Sequence, residues 1–492
     1  MKSKFALLMV VFSLVTVLTP LSGFAEEKKE PAAATAAVAT AQDAPAAATA
    51  APVAAAPAAP ALPDVKPVLN TGDTAWMLVS SALVLLMLPG LALFYGGMVR
   101  QKNVLSTIMH SLVAMGIVGV QWTVIGYSLS FAPDWGGLGL IGNFSKSMLN
   151  GLIIMKDAAS GTVEWALFQN YTKEASAIPE LVFAMYQAMF AMITVALISG
   201  AIAERVKFSA YCLFVLFWTT LVYDPLAHWV WMADGWLFKK GALDFAGGTV
   251  VHLSSGVSAL VFLAFLGKRH GFPNERMAPH SLPMTLLGVG LLWFGWYGFN
   301  AGSAVVGANN ADAAGGLAAL AFATTTIAPA AAGLTWMFAE WIHAGRPSAL
   351  GFGSGVVAGL VVITPAAGFV QPGAALLMGV AAGLVCYGGI LLKAKFKYDD
   401  SLDAFGVHGI GGMFGAIVTG VFATVGATGL IAGNMKQLMI QVIAVVAAAA
   451  YAIIVTFIIT FILDKTIGLR VDKEDEIMGL DQTQHSESGY NM

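Results

Sequence analysis

Residues 244–252 read DFAGGTVVH and open an uncharged run that continues to Gly267. At a rise of about 1.5 Å per residue, such a run crosses a bilayer as a helix. Asp244 stands just before it, where a carboxylate caps a helix N-terminus and meets its dipole. His252 follows two turns in, on roughly the same face and near membrane depth. An ionisable side chain there marks a pathway and needs a partner. A second stretch, residues 403–412 (DAFGVHGIGG), repeats the pattern at the start of another hydrophobic run, with Asp403 and His408. These two stretches organise the chain.

Hydrophobic residues make up 58% of the sequence and charged residues 11%, against about 25% charged in a soluble domain. That composition defines an integral membrane protein. The 54 glycines suit helices packed closely in lipid. A net charge of -3 gives no sign of a nucleic-acid partner. Cys212 and Cys386 both fall inside hydrophobic runs and read as packing thiols.

Residues 1–25 read as a cleaved secretory signal: Lys2 and Lys4, an apolar core, then Gly23-Phe24-Ala25. Residues 26–70, rich in Ala and Pro, read as a disordered periplasmic segment from which no core can be built. Eleven hydrophobic runs follow, each near the ~20 residues of a span. They cover about 75–99, 104–131, 181–203, 208–228, 245–267, 281–307, 313–337, 349–370, 374–392, 404–427 and 438–463. The fold class is all-α, with residues 71–466 as the membrane domain and 467–492 as a charged regulatory tail.

With residue 70 outside, the inside loops hold eleven Lys and Arg and the outside loops six. The positive-inside rule then sets the N-terminus outside and the tail in the cytoplasm of a bacterial inner membrane. The two Asp/His runs are spans five and ten. They take corresponding places in two five-span halves, with an eleventh span left over. Five is odd, so the halves have inverted topology. Spans one and six share an aromatic–glycine flavour, LALFYGG beside FGWYGFN.

Corresponding helices of an inverted repeat meet near the midplane, which predicts that His252 and His408 touch. Two neutral imidazoles in contact offer a donor and an acceptor each, a polar line through an apolar conduit. The bland alternative is two unrelated packing histidines. No third ligand is placed at that depth for a metal. Tyr186, Phe190, the string HWVW (His228–Trp231), Trp293, Trp296, Tyr297 and Phe299 crowd the expected outer span ends. They suit either an interfacial belt, expected for Trp229 and Trp236, or a cation–π cage to which Ser303 adds a hydroxyl. Glu204, Arg205 and Lys207 read as a solvated turn. Gly-rich strings such as GFGSG are packing surfaces, not phosphate loops.

With DFAGGTVVH, GVHGIGG, GFNAGSA and ALISGAIAERVKF in this order, the chain resembles the ammonium transporter family (Amt/Mep/Rh), most closely its bacterial Amt members. The likeness runs from Gly72 to Asp481. It implies a homotrimer with one pore per subunit, no cofactor, no enzymatic activity, and ammonium or ammonia (possibly methylammonium) as the substrate. It implies that Trp231, Phe190 and Ser303 bind the cation and that Asp244 supports that site. Phe190 and Phe299 then form the gate, and His252 and His408 the paired pore histidines. The tail resembles a segment that meets a PII-type signalling protein. An ammonium sensor on the same fold is the alternative. The chain departs from the family in Tyr186, expected as a vestibule ring where Phe is common. Asp224 is a further departure, an unusual acid in span four.

Overall fold

A computed structural model describes residues 68–157, 160–169, 176–307 and 314–490. The expected signal, and the segment after it up to residue 67, lie outside the described residues. Among the described residues ten apolar helices have the length of a membrane span: Thr71–Met98, Gln101–Phe131, Glu180–Ile202, Phe208–Lys240, Gly248–Leu266, Leu282–Val306, Gly315–Ala344, Pro372–Phe396, Phe405–Phe422 and Met435–Thr466. The shorter apolar helix Ala349–Ile363 lies between the seventh and eighth of these and is span eight in chain order, making eleven. Its helix ends before residue 370 because Pro365 cannot donate to the ladder. Residues 364–370 finish the crossing as buried turns. Small strands in the loop between spans two and three, such as Ser176–Pro179, which pairs with Val68–Leu69 ahead of span one, add a little β-structure.

Local chemistry starts the spans where the sequence supplies a cap. Asn70, Ser348 and Asn434 accept N–H bonds from Asp73, Gly351 and Gln437 at the heads of spans one, eight and eleven. Spans two and four are interrupted by π-helical turns, Trp122–Gly126 and Thr219–Tyr223. Spans five and ten begin in them, Gly248–Leu253 and Phe405–Gly409.

The inverted repeat is legible in how spans five and ten cross. A Cβ on Gly256, four residues after His252, would stand 2.1 Å from the N of Gly409. A Cβ on Gly412, four residues after His408, would stand 2.6 Å from the N of Leu253. Each histidine thus has a glycine one turn on, against which the residue following the other histidine packs. Spans one and six close in the same manner, with Gly288 against the backbone of Phe94 and Gly90 against Leu291. Without these small residues the backbones could not approach, and lipid supplies no hydrophobic drive to replace the lost contacts.

The turn after span three departs from expectation. Glu204 and Arg205 are fully buried, not solvated. Arg269 bridges Glu204 at 2.9 Å and Asp399 at 2.7 Å, while Arg100 also pairs with Glu204 at 2.9 Å. Arg205 donates to the carbonyls of Gly267 and Asp399. Burial alone would raise the Glu204 carboxyl, but Arg269 and Arg100 outweigh it and hold the group below the usual range. The tail packs on this same end. Residues Val206 and Arg470 form a β-bridge, Glu476 pairs with Arg470 at 2.6 Å, and Asp481 accepts from the N–H of Ser106 at 2.8 Å.

Candidate functional site

Asp244 shows how the sequence builds the site. Its two oxygens accept four backbone N–H bonds, from Gly247 and Gly248 at 2.8 and 2.7 Å and from Thr249 and Val250 at 2.8 and 3.0 Å. These are donors that a helix start leaves without intrahelical partners. Gly247, at φ 112°, makes the turn that points them at one carboxylate. The Asp244 carbonyl accepts from the Trp231 indole at 2.9 Å, which fixes the ring across the loop 232–243. Asp244 thus ties the start of span five to the Trp231 ring.

The second stretch obeys the same rule with a different aspartate. Asp400, not Asp403, accepts from the N–H groups of Ala404 and Phe405, at 3.1 and 2.8 Å. It stands eight residues before His408, as Asp244 stands eight before His252. Asp403 has φ 62° and pairs with Lys393 instead. Burial and the neighbouring Asp403 raise the Asp400 carboxyl above its ordinary value.

A cavity at the Asp244 end is lined by Phe190, Trp231, Asp244 and Ser303, together with Gln187, Phe131, Phe183 and Phe245. The predicted cation-site residues therefore meet. Phe190 stands edge-on to Trp231 at 5.9 Å and stacks on Phe299 at 4.1 Å, so two phenyl rings close the cavity floor. Ser303 donates to the Phe299 carbonyl at 2.9 Å. Tyr186 is not among the lining residues: its fully buried hydroxyl bonds the carbonyls of Gly298 and Phe299 and lies 3.1 Å from Ser303. It braces the span that carries Phe299 and Ser303. Gln187, one position on, takes the place at the cavity, and its Oε1 has no hydrogen-bond partner among the described residues. Trp229 is likewise buried, with its indole on the Leu140 carbonyl at 2.8 Å, and forms no interfacial belt.

Beneath Phe299 lie the histidines. His252 and His408 meet edge to edge, with their ring centroids 5.3 Å apart, their planes inclined by 24° and their Nδ1 atoms 3.2 Å apart, and both are buried. One Nδ1 must carry hydrogen and the other accept it. His252 stacks on Trp296 at 5.3 Å on its other side. Trp296 donates to Thr364 at 2.8 Å. In the sequence Trp296 stands within an aromatic crowd, and its position three residues before Phe299, one helical turn away, is the signal that places it here. Among the described residues His252 Nε2 has no hydrogen-bond partner. Both rings line a narrow void with Leu197, Leu292 and Val357. The surroundings of the imidazoles are otherwise apolar. Among the described residues no group of three His, Cys, Asp or Glu side chains could hold a metal.

An eleven-span helical bundle with an aromatic cavity at one end and two crossed histidine helices at its centre is a multi-pass membrane transporter of the channel-like kind. The chain matches the Ammonium Transporter Family over residues 75–490 and belongs to it. It is 47% identical over 440 residues to an ammonium transporter of Mycobacterium bovis, covering 85% of this chain and 90% of that protein. It superposes on the crystal structure of Saccharomyces cerevisiae Mep2 with a TM-score of 0.73 at 35% identity, covering 84% of this chain and 90% of Mep2. A solved "Sensor Amt Protein" gives a TM-score of 0.73 at 27% identity, over 84% and 98% of the two chains.

Proposed function

We propose that this chain transports ammonium, taking NH4+ at the Trp231 cavity and passing NH3 between His252 and His408. The observation that carries the reading is the order of parts: cation-friendly cavity, stacked phenyl pair, then a bonded imidazole pair in an apolar void. Trp231 and Phe190 offer ring faces worth about 0.5–2 kcal/mol per cation contact, and Asp244 adds a fixed negative charge. Against that, a charge at bilayer depth costs at least about 2.5–3.5 kcal/mol. Those contacts end at the phenyl gate and the apolar void beyond offers none to replace them, which favours leaving a proton behind there. Ammonia is small and neutral, and it can donate to or accept from the imidazoles. Potassium binds the same cavity but has no proton to lose, so the apolar segment rejects it. Whether the proton returns or crosses along the imidazole pair separates a gas channel from net NH4+ transport; the paired nitrogens favour the second.

The wider expectations belong to the same proposal: a homotrimer in a bacterial inner membrane, its tail cytoplasmic and meeting a PII-type protein. A second reading, an ammonium sensor signalling through the tail, draws on the likeness to the solved sensor protein. Ammonium and potassium fluxes through purified protein in liposomes decide the first point. Matching fluxes would defeat the selectivity mechanism. Absence of any ammonium flux, with ammonium still binding, would favour the sensor.

A further inference from the structure

Asp224 is fully buried near the end of span four that carries Trp231, and nothing in the pathway above uses it. Its Oδ2 accepts from the Gln121 amide of span two at 2.7 Å, and the same nitrogen donates to Thr220 at 3.1 Å. Gly126 leaves room for that amide: a Cβ there would stand 2.6 Å from the Gln121 oxygen. Among the described residues no cation lies within ion-pair distance of Asp224, and its other polar side-chain neighbour is Ser130 of the redirected end of span two. A polar pair of this kind is expensive to separate in an apolar surround, so it holds two helices in one relation.

The place of the pair gives it a consequence. Gln121 immediately precedes the π-turn Trp122–Gly126, and Asp224 immediately follows the π-turn Thr219–Tyr223. Such turns redirect the helix beyond them and recur at functional sites. The redirected segments end at Phe131 and Trp231, both of which line the cavity. They are tied again by His228, whose Nδ1 lies 3.1 Å from the Ser130 carbonyl. Asp224 and Trp231 are seven residues apart in one helix, two turns along the same face. A slide or rotation at Asp224 is therefore delivered to the Trp231 ring.

We propose that Asp224, gripped by Gln121, is a positioning residue that sets the affinity of the Trp231 cavity for its cation without setting the rate of conduction. The inference rests on the reading of Trp231 as the cation site.

Ammonium-dependent transport in liposomes, measured against concentration, tests it with Asp224→Leu, Gln121→Leu, the double variant and Asp224→Asn, beside Trp231→Leu as reference. Each single leucine variant should raise the half-saturating concentration on the order of fivefold, the equivalent of one buried hydrogen bond, and leave the maximal rate within about twofold. Asp224→Asn keeps an acceptor for Gln121 and should retain the wild-type half-saturation. The double variant leaves no orphaned partner and should be no worse than either single, which preserves the test if a single variant fails to fold. A raised half-saturation in Trp231→Leu with none in the folded Asp224 and Gln121 variants would overturn the inference. So would a fall in maximal rate alone, or an asparagine variant as impaired as the leucine. An unchanged half-saturation in Trp231→Leu would overturn the reading of the cation site, and this inference with it.

Discussion

Gly256→Ala should silence transport without touching a histidine. On local grounds the change is favourable, since alanine exceeds glycine in helix propensity by about 1 kcal/mol. The crossing of spans five and ten reverses the sign. The new Cβ would stand 2.1 Å from the N and 2.2 Å from the Cα of Gly409, and both are backbone atoms that cannot swing aside. Reaching an ordinary 3.4 Å contact from 2.1 Å requires the helices to part by about 1.3 Å. Gly409 is the residue after His408, so that shift enters the 3.2 Å contact between the Nδ1 atoms and carries it beyond hydrogen-bond range. Overpacking of this kind costs about 1–3 kcal/mol, and an error near 1 Å at a reacting centre lowers rates on the order of 100-fold. Ammonium-evoked flux in liposomes and thermal unfolding should both fall. Gly388→Ala, where a Cβ meets nothing within 4 Å, is the control and should keep wild-type flux. Wild-type flux in a stable Gly256→Ala protein would refute the claim that histidine contact and helix crossing are one mechanical unit.

Asp244→Ala should remove the common acceptor of four N–H groups and abolish the folded site, whereas Asp244→Asn should fold but bind ammonium more weakly, as isothermal titration or concentration-dependent flux will show. Glu204→Gln should lower the thermal midpoint by the equivalent of about 3–5 kcal/mol, because Arg269 and Arg100 then face a neutral partner. Glu204 and Asp399 are both held low by their arginines against the effect of burial. Their contribution is therefore present above the unfolded carboxylate value of about 4 and lost as pH falls through the folded values. The wild-type midpoint should be level from neutrality to about pH 5 and drop below about pH 4, with a shallower drop in Glu204→Gln. Deleting residues 467–492 should abolish co-purification with a PII-type protein and lower thermal stability, since Asp481 and Glu476 anchor the tail to its own subunit.

The spans, their number and the meeting of His252 with His408 were legible because hydrophobic length and an ionisable residue inside it are strong signals. Asp244 was legible for the same reason, as a carboxylate at a helix start. Asp403 was misread because nearness in sequence stood in for geometry; only the eight-residue spacing common to both repeats points to Asp400. Glu204 and Arg205 looked solvated because a short charged turn gives no hint that Arg269 and Asp399, far along the chain, will close over it. Tyr186 and Gln187 differ by one position on a helix, a rotation of about 100°. Sequence cannot resolve which of them faces the cavity when both faces of the span are buried.

Current and internal pH recorded together in liposomes under an ammonium gradient, for wild type, His252→Ala and His408→Ala, test the central claim most directly. An ammonium-specific current in the wild type that disappears in both variants is the predicted result. An undiminished current in the folded variants would contradict it, and alkalinisation without current would assign the protein to passive ammonia conduction.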